Sequence, residues 1–452
     1  MKKIVLMLMA GLSLPLMAQQ PLMTDSLRMM LDAVSEQHYT SQLSLSLREA
    51  QEYAVQQNRT LQNASIDAKR AHAQRWQTIA SMLPQVDGSI GKTIMYDDEF
   101  NEKKISLDPT QPPMSMSPWT FGLTASIGLN GQTIVGALLN NLAIKMQDIT
   151  YQQSESDLRA NVVESYLAVL VMEDVVALMD SSLANMEKLA EQTDRMAAVG
   201  AIESTQADQL RVRVNQLRNT AMQNRRSTVL AYNALRVLLD VDAQTELVLT
   251  NSLHEIISPE NALSVLFEGF DIHNNFNYQL LEKNVDLAKL NLHMAGWAYG
   301  PTISAYYQYS YRDYGKDGGF TMMNSPHTVG FTVTMPIWSS GVRAAGVHDK
   351  RLALQQAKNT FSEMSENLNI QYQQLRYNLT NAYETYATEN ENIGVAKRVF
   401  QNVSNKYNWG AASAIELTNA SNDLITAQSS YVQAVLALVN AEVELNKFLN
   451  NK

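Results

Sequence analysis

The stretch LTNASNDLITAQSSYVQAVLALVNAEVELNKF, residues 417–448, decides the architecture. Its seam residues Leu417, Ala420, Leu424, Ala427, Tyr431, Ala434, Leu438, Ala441, Leu445 and Phe448 follow alternating steps of three and four. That spacing keeps one side of a helix turned to a partner helix, as in a left-handed coiled coil. Alanine at every second seam position lets the partner approach closely. Subtracting 210 gives Ala207, Leu210, Val214, Leu217, Ala221, Asn224, Thr228, Ala231, Leu235 and Leu238, the same register with Asn224 and Thr228 as polar interruptions. The chain is built twice.

The repeat extends upstream. Ile393, Ala396, Phe400, Val403 and Tyr407 keep the spacing, and 210 residues earlier stand Leu183, Met186, Ala190, Thr193 and Ala197. Between the two seams of each copy lies a glycine, Gly200 or Gly410. Each unit therefore reads as helix, tight turn, antiparallel helix. A 3–4 seam alone would suit any helical bundle; duplication at a fixed offset makes it architecture. From about Gly341 to Tyr407 no proline interrupts the chain, and roughly 65 helical residues would span near 100 Å.

Each hairpin is preceded by strand-like sections. A helix over about Leu45 to Met82 ends at Leu83-Pro84, and a second over Phe276 to Tyr299 ends at Gly300-Pro301. Proline stops a helix and starts extended chain. Gln85 to Asp97 and Trp119 to Leu129 follow in the first copy, Thr302 to Arg312 and Thr328 to Ile337 in the second, with polar loops between. Phe121-Gly-Leu-Thr-Ala-Ser-Ile aligns with Val329-Gly-Phe-Thr-Val-Thr-Met, and both alternate in the period-2 pattern of a half-buried strand. Trp119, Phe121, Tyr306, Tyr309 and Trp338 suit a membrane interface, where an aromatic ring is half wetted. The same alternation also fits a β-sandwich.

Composition narrows the setting. Lys2-Lys3 followed by the apolar Ile4 to Met17 reads as a secretory signal peptide cut after Ala18. With 0 Cys the exported chain uses no disulfides. Past residue 20 no run of about 18 apolar residues stands out, so a membrane crossing would use strands. A net charge of −10 argues against nucleic acid. The seven His are scattered without metal-ligand spacing, and neither a phosphate loop nor a nucleophile elbow is present. Asp97-Asp98-Glu99, Glu102, Glu363 and Glu366 read as solvated charges. Neither enzyme nor cofactor nor metal site is expected.

Strand counting sets the stoichiometry. Two copies give four strands of about ten residues, long enough to cross a bilayer when tilted. Four cannot close a barrel, and lipid leaves open edges unsatisfied. Three chains give twelve strands, which makes a homotrimer the best arithmetic.

At this point the chain resembles the TolC-like outer-membrane efflux proteins over about Leu43 to Asn450. The diagnostic pieces are Ser46-Leu-Arg-Glu-Ala-Gln-Glu-Tyr-Ala-Val-Gln-Gln-Asn58, Leu83-Pro84, Gly300-Pro301, Met335-Pro-Ile-Trp-Ser-Ser-Gly341 and Tyr407-Asn-Trp-Gly410. The resemblance implies a mainly α protein with a transmembrane β-barrel part: a trimeric 12-stranded barrel in the outer membrane, continued by a helical barrel in the periplasm. It implies a passive duct whose tips, near Gly200 and Gly410, dock on a periplasmic adaptor joined to an inner-membrane pump. For the aperture it points to Tyr407, Glu416, Asn419, Gln206 and Asp208. Ala412 stands at the family's arginine position, Asn419 at its second acid and Gln206 where an aspartate is common, so the closing network is altered here.

The expected layout is a signal peptide over 1–18, a flexible extension over 19–42 and a first repeat over 43–240. An equatorial linker region over 241–275 and a second repeat over 276–452 complete it. The competing reading is a soluble periplasmic coiled-coil scaffold whose strand pairs pack on one another. The cargo is not legible.

Overall fold

The computed structural model describes residues 39, 41–105, 110, 114–115, 117–256, 264–313 and 327–450. The expected signal peptide, all but the end of the extension, part of the first copy's loop between strands and all of the second copy's loop lie outside them. In chain order the main elements are β1 (Ser41–Leu45), α1 (Leu47–Gln57), α2 (Arg59–Ala80), β2 (Gln85–Lys92), the two-residue strands β3 (Lys104–Ile105) and β4 (Met114–Ser115), β5 (Trp119–Leu129), α3 (Gly131–Ala198), α4 (Ser204–Leu239), β6 (Thr245–Leu249), α5 (Leu253–Ile256), α6 (Phe276–Gly296), β7 (Thr302–Asp313), β8 (His327–Thr334), α7 (Val342–Asn408) and α8 (Ala414–Leu449).

The long helices α3 and α7 have 68 and 67 residues, about 100 Å each. They fold back as α4 and α8, which run only about half that length. The other half is covered by α2 and α6, so the wall keeps four helices throughout. An asparagine splices the row in each copy. Asn58 caps α2 by accepting from Thr60 N and Leu61 N, while its Nδ2 donates to Leu238 O at the end of α4 (2.9 Å). Asn275 caps α6 in the same way, and its Nδ2 donates to Phe448 O at the end of α8 (3.0 Å). A helix start has free N–H groups and a helix end has free carbonyls, and one buried amide serves both. The helix expected from Leu45 to Met82 is therefore two helices, α1 and α2, broken at Asn58.

The seam residues fill the core. Leu210, Leu235, Leu417, Leu438 and Leu445 are fully buried, with Ala207, Val214, Leu217, Ala221, Ala420 and Leu424 close to it. Although α8 is long and apolar enough by composition to cross a bilayer, contrary to the sequence expectation, its apolar side packs on α7 and α3.

Around the middle sits a small added layer. Strands β1 and β6 pair in parallel, with Ser41 beside Thr245, so the last two residues of the expected extension belong to a strand. Tyr166 of α3 is fully buried and donates to Leu45 O (3.0 Å). Buried Arg236 of α4 donates to Thr245 O (2.9 Å) and stacks on Tyr39 and Tyr232.

Candidate duct wall, edges and helical tips

Four antiparallel strands form one sheet in the order β2-β5-β7-β8. Register decides what each face carries. Trp119 pairs with Lys92 and Asp313, Phe121 with Ile90 and Tyr311, Leu123 with Tyr309, and Leu129 with Ile303, which in turn faces Val333. Side chains alternate across a strand, so these residues share one face. The other face holds Ser89, Thr120, Thr124, Ser126, Thr302, Ser304, Gln308, Ser310, Thr328, Thr332 and Thr334. One face is mostly apolar and bare, with Ile90, Phe331 and Val333 all exposed and its charged Lys92 and Asp313 at the end away from the helices; the other is rich in hydroxyls.

Trp119, Phe121 and Tyr309 fall on the apolar face, as expected of interface aromatics. Tyr306 does not. It lies on the hydroxyl face between Ser126 and Gly330, and its ring covers Gly330 so closely that a Cβ there would meet it at 2.3 Å. Trp338 follows β8 at the end of the sheet where the helices begin, almost wholly exposed. At the same end, the Trp297 ring closes on Gly131, where a Cβ would approach it to 2.0 Å. That accounts for Gly131 at the start of α3 where the second copy has its proline-led turn. There Arg343 donates to Pro336 O (2.6 Å) instead.

Among the described residues, two edges stay open from end to end. One is β2, then α2, then α4; the other is β8, then α7. Both carry exposed apolar side chains: Ile66, Trp76, Val229 and Val237 on the first, Ile370, Tyr377, Val395 and Val399 on the second. A sheet and a helical wall that are both unfinished on both sides form a sector, not a closed body.

Gly200 and Gly410 take φ of +73° and +69° at the hairpin tips. In each, a 6→1 bond closes the helix end: Ala201 N donates to Met196 O (2.9 Å) and Ala411 N to Lys406 O (2.8 Å). Just above the tips, Tyr407 of the second hairpin is buried against Thr193 of the first, hydroxyl to hydroxyl at 3.0 Å. Thr193 gives its own proton to Leu189 O (2.8 Å), which leaves Tyr407 as the donor.

Glu416 completes a capping box on α8, its carboxylate reaching back to Ser413 N (3.4 Å) while Ser413 Oγ accepts from Glu416 N (3.2 Å). Asn419 is exposed, Gln206 half-buried, and Asp208 pairs loosely with Arg211 (3.7 Å). Of the five aperture residues, only Tyr407 joins the two hairpins. Thr193, its partner, was not singled out in the sequence, where it reads as one more seam position.

A further set escaped the sequence. Asp194–Arg211 (3.2 Å), Glu187–Arg218 (2.6 Å) and Asp180–Arg225 (2.9 Å) cross from α3 to α4 at intervals of seven residues. Where α8 meets α3 and α5, an apolar groove of about 380 Å³ is lined by Val171, Val175, Leu178, Leu253, Tyr431 and Val435. Burial, then neighbouring Tyr386, pushes the Tyr431 phenol there up to about 12. Among the described residues no group of acids and histidines is placed to hold a metal ion.

Residues 51–240 and 272–451 match the family described as Outer membrane efflux protein. No curated protein matches by sequence. Solved structures match over nearly the whole chain. CusC shares 17% identity with a TM-score of 0.73, covering 92% of this chain and 94% of that one. The CmeC outer membrane channel of Campylobacter jejuni shares 16% with a TM-score of 0.70, covering 89% and 85%. VceC from Vibrio cholerae shares 13% with a TM-score of 0.69, covering 89% and 95%. At these identities the likeness is one of fold, and the two-part match to the family follows the internal duplication seen here. The chain belongs to the outer membrane efflux protein family.

Proposed function

We propose that three copies of this chain close into a passive duct through the outer membrane, extended through the periplasm by its helices. The observation that carries this reading is the unfinished sector: both edges are open along the entire length, and the sheet is apolar on one face only. Joining β8 of one copy to β2 of the next yields twelve strands with lipid-facing residues outside and hydroxyls lining the lumen. The helical edges meet in the same step. A soluble scaffold would leave the apolar face of the sheet in water.

In this reading the hairpin tips around Gly200 and Gly410 dock on a periplasmic adaptor, which couples the duct to an inner-membrane pump. Tyr407 and Thr193 hold the second hairpin against the first when the duct is shut. Trp119, Phe121, Tyr309 and Trp338 anchor the barrel at the two membrane surfaces. Glu416 serves as a helix cap.

The test is fractionation and mass. The protein should partition with outer membranes and run as a trimer in detergent; a soluble monomer would overturn the proposal. Val333→Arg, on the apolar face near the helical end of the sheet, should impair assembly and lower trimer recovery. Thr332→Arg, one residue away on the lumen face, should still assemble.

A further inference from the structure

The two copies bury different residues, and the mismatch shows what each edge meets. On α8, Ser421, Gln428 and Val435 are buried, Val435 to 1% exposure, because that strip packs against α3. Their counterparts 210 residues earlier on α4 are Arg211, Arg218 and Arg225, all at least partly exposed. Val439, 3% exposed, corresponds to Val229 at 40%. On the receiving side, Val175 and Leu189 of α3 are buried under α8, yet their counterparts Thr385 and Val399 on α7 are exposed. The arginine strip thus lies along one open edge and the bare strip of α7 along the other.

The joint between α8 and α3 inside the chain is a template for the missing one. Val435 lines the groove with Asp174 and Val175, and Gln428 donates weakly to Ser182 Oγ (3.4 Å). Adding 210 to Asp174 and Val175 gives Glu384 and Thr385 opposite Arg225; adding it to Ser182 and to Ser181, which also lines the groove, gives Asn392 and Glu391 opposite Arg218. Both glutamates are exposed on α7. Acid faces base on the two edges.

We infer that Arg218 and Arg225 each bridge two chains, holding Glu187 and Asp180 of their own hairpin and reaching Glu391 and Glu384 on α7 of a second copy. A guanidinium has five N–H donors in a planar fork, enough for two carboxylates. The occupant is a second copy of this chain, because the chain's own opposite edge carries the complementary acids, Glu384 and Glu391. The inference rests on the trimeric duct and assigns the charged seam between its subunits.

The chain has 0 Cys, so paired substitutions report cleanly. Arg225→Cys with Glu384→Cys, in full-length protein in outer membranes, should yield linked dimers and trimers on a denaturing gel after a short bismaleimide. Arg225→Cys with Asp180→Cys should stay monomeric, because those sites share one hairpin. In addition, Arg218→Glu with Arg225→Glu should lower the trimer fraction in detergent several-fold, and adding Glu384→Arg with Glu391→Arg should restore it. A native trimer that gives no inter-chain product with the first pair overturns the seam and leaves the duct standing. A protein that is monomeric throughout overturns both.

Discussion

The two helical hairpins share a register and differ in their glue. Three arginine–carboxylate pairs at seven-residue intervals tie α3 to α4. At the corresponding positions of the second hairpin stand Asn390, Lys397 and Ser404 against Val435, Gln428 and Ser421, and no such pair can form. The second hairpin is held by its leucine seam and, against the first, by Tyr407 to Thr193, Gln428 to Ser182 and the ion pair Lys447–Asp157 (2.9 Å). Apolar burial is non-directional and tolerates sliding, whereas an ion pair fixes register. The ring of helices therefore alternates two kinds of joint: a mostly apolar one within each chain, whose Lys447–Asp157 pair lies far from the tips, and a charged, wettable one at each chain's edge. Motion that opens the tips is easiest where few directional bonds must break, which is the second hairpin.

The largest test of this difference puts a charge in the apolar joint. Val435→Asp places a carboxylate at a fully buried position beside Asp174, and should destabilise the chain by about 3 kcal/mol or more. The reciprocal change, Arg225→Val, sits at a partly exposed pair and should cost under about 1 kcal/mol. Chemical denaturation followed by circular dichroism separates the two. Equal effects would erase the distinction between the joints.

Next comes the hydroxyl latch. Tyr407→Phe removes one hydrogen bond, worth about 1 kcal/mol, while Thr193 keeps its bond to Leu189 O. The stability change is small, but near the tips it should show as several-fold higher conductance in planar bilayers. Conductance unchanged from the parent would place the latch elsewhere.

How much of this was legible beforehand follows from where each feature's information lies. The seam, the tip glycines and the strands rest on local periodicity and single-residue conformational needs, so Leu417 to Phe448 and Gly410 could be read directly. Asn58 could not. Its flanks are good helix formers, and the break pays off only once Leu238 O arrives from 180 residues away. Tyr306 looked like an interface aromatic by composition, but the parity of its register with Ser126 puts it on the hydroxyl face. Glu416 carried a local signature, Ser413-Ala-Ile-Glu416, that spells a capping box. The arginine ladder went unread, because its partners sit on another helix.

A smaller prediction concerns Gln428. Its Oε1 is the one buried side-chain polar atom without a partner among the described residues, and its Nε2 makes only a long bond. Leaving a buried acceptor unsatisfied costs about 1–3 kcal/mol, more than that long bond returns. Gln428→Met should therefore be neutral or stabilise the isolated chain by up to about 1 kcal/mol, read from the same denaturation midpoint. A clear loss would mean that the amide matters to the joint.

Smallest of all should be Glu416→Gln. The capping box survives because a glutamine oxygen can still accept from Ser413 N, and only the favourable charge at the helix start is lost, about 0.5 kcal/mol. If Glu416 instead formed an acidic ring controlling the aperture, neutralising it would weaken block by multivalent cations in bilayer recordings. Cation block indistinguishable from the parent, together with a shift of that size in the denaturation midpoint, would assign Glu416 to the helix and leave Tyr407 and Thr193 as the contact that separates the two hairpins' roles.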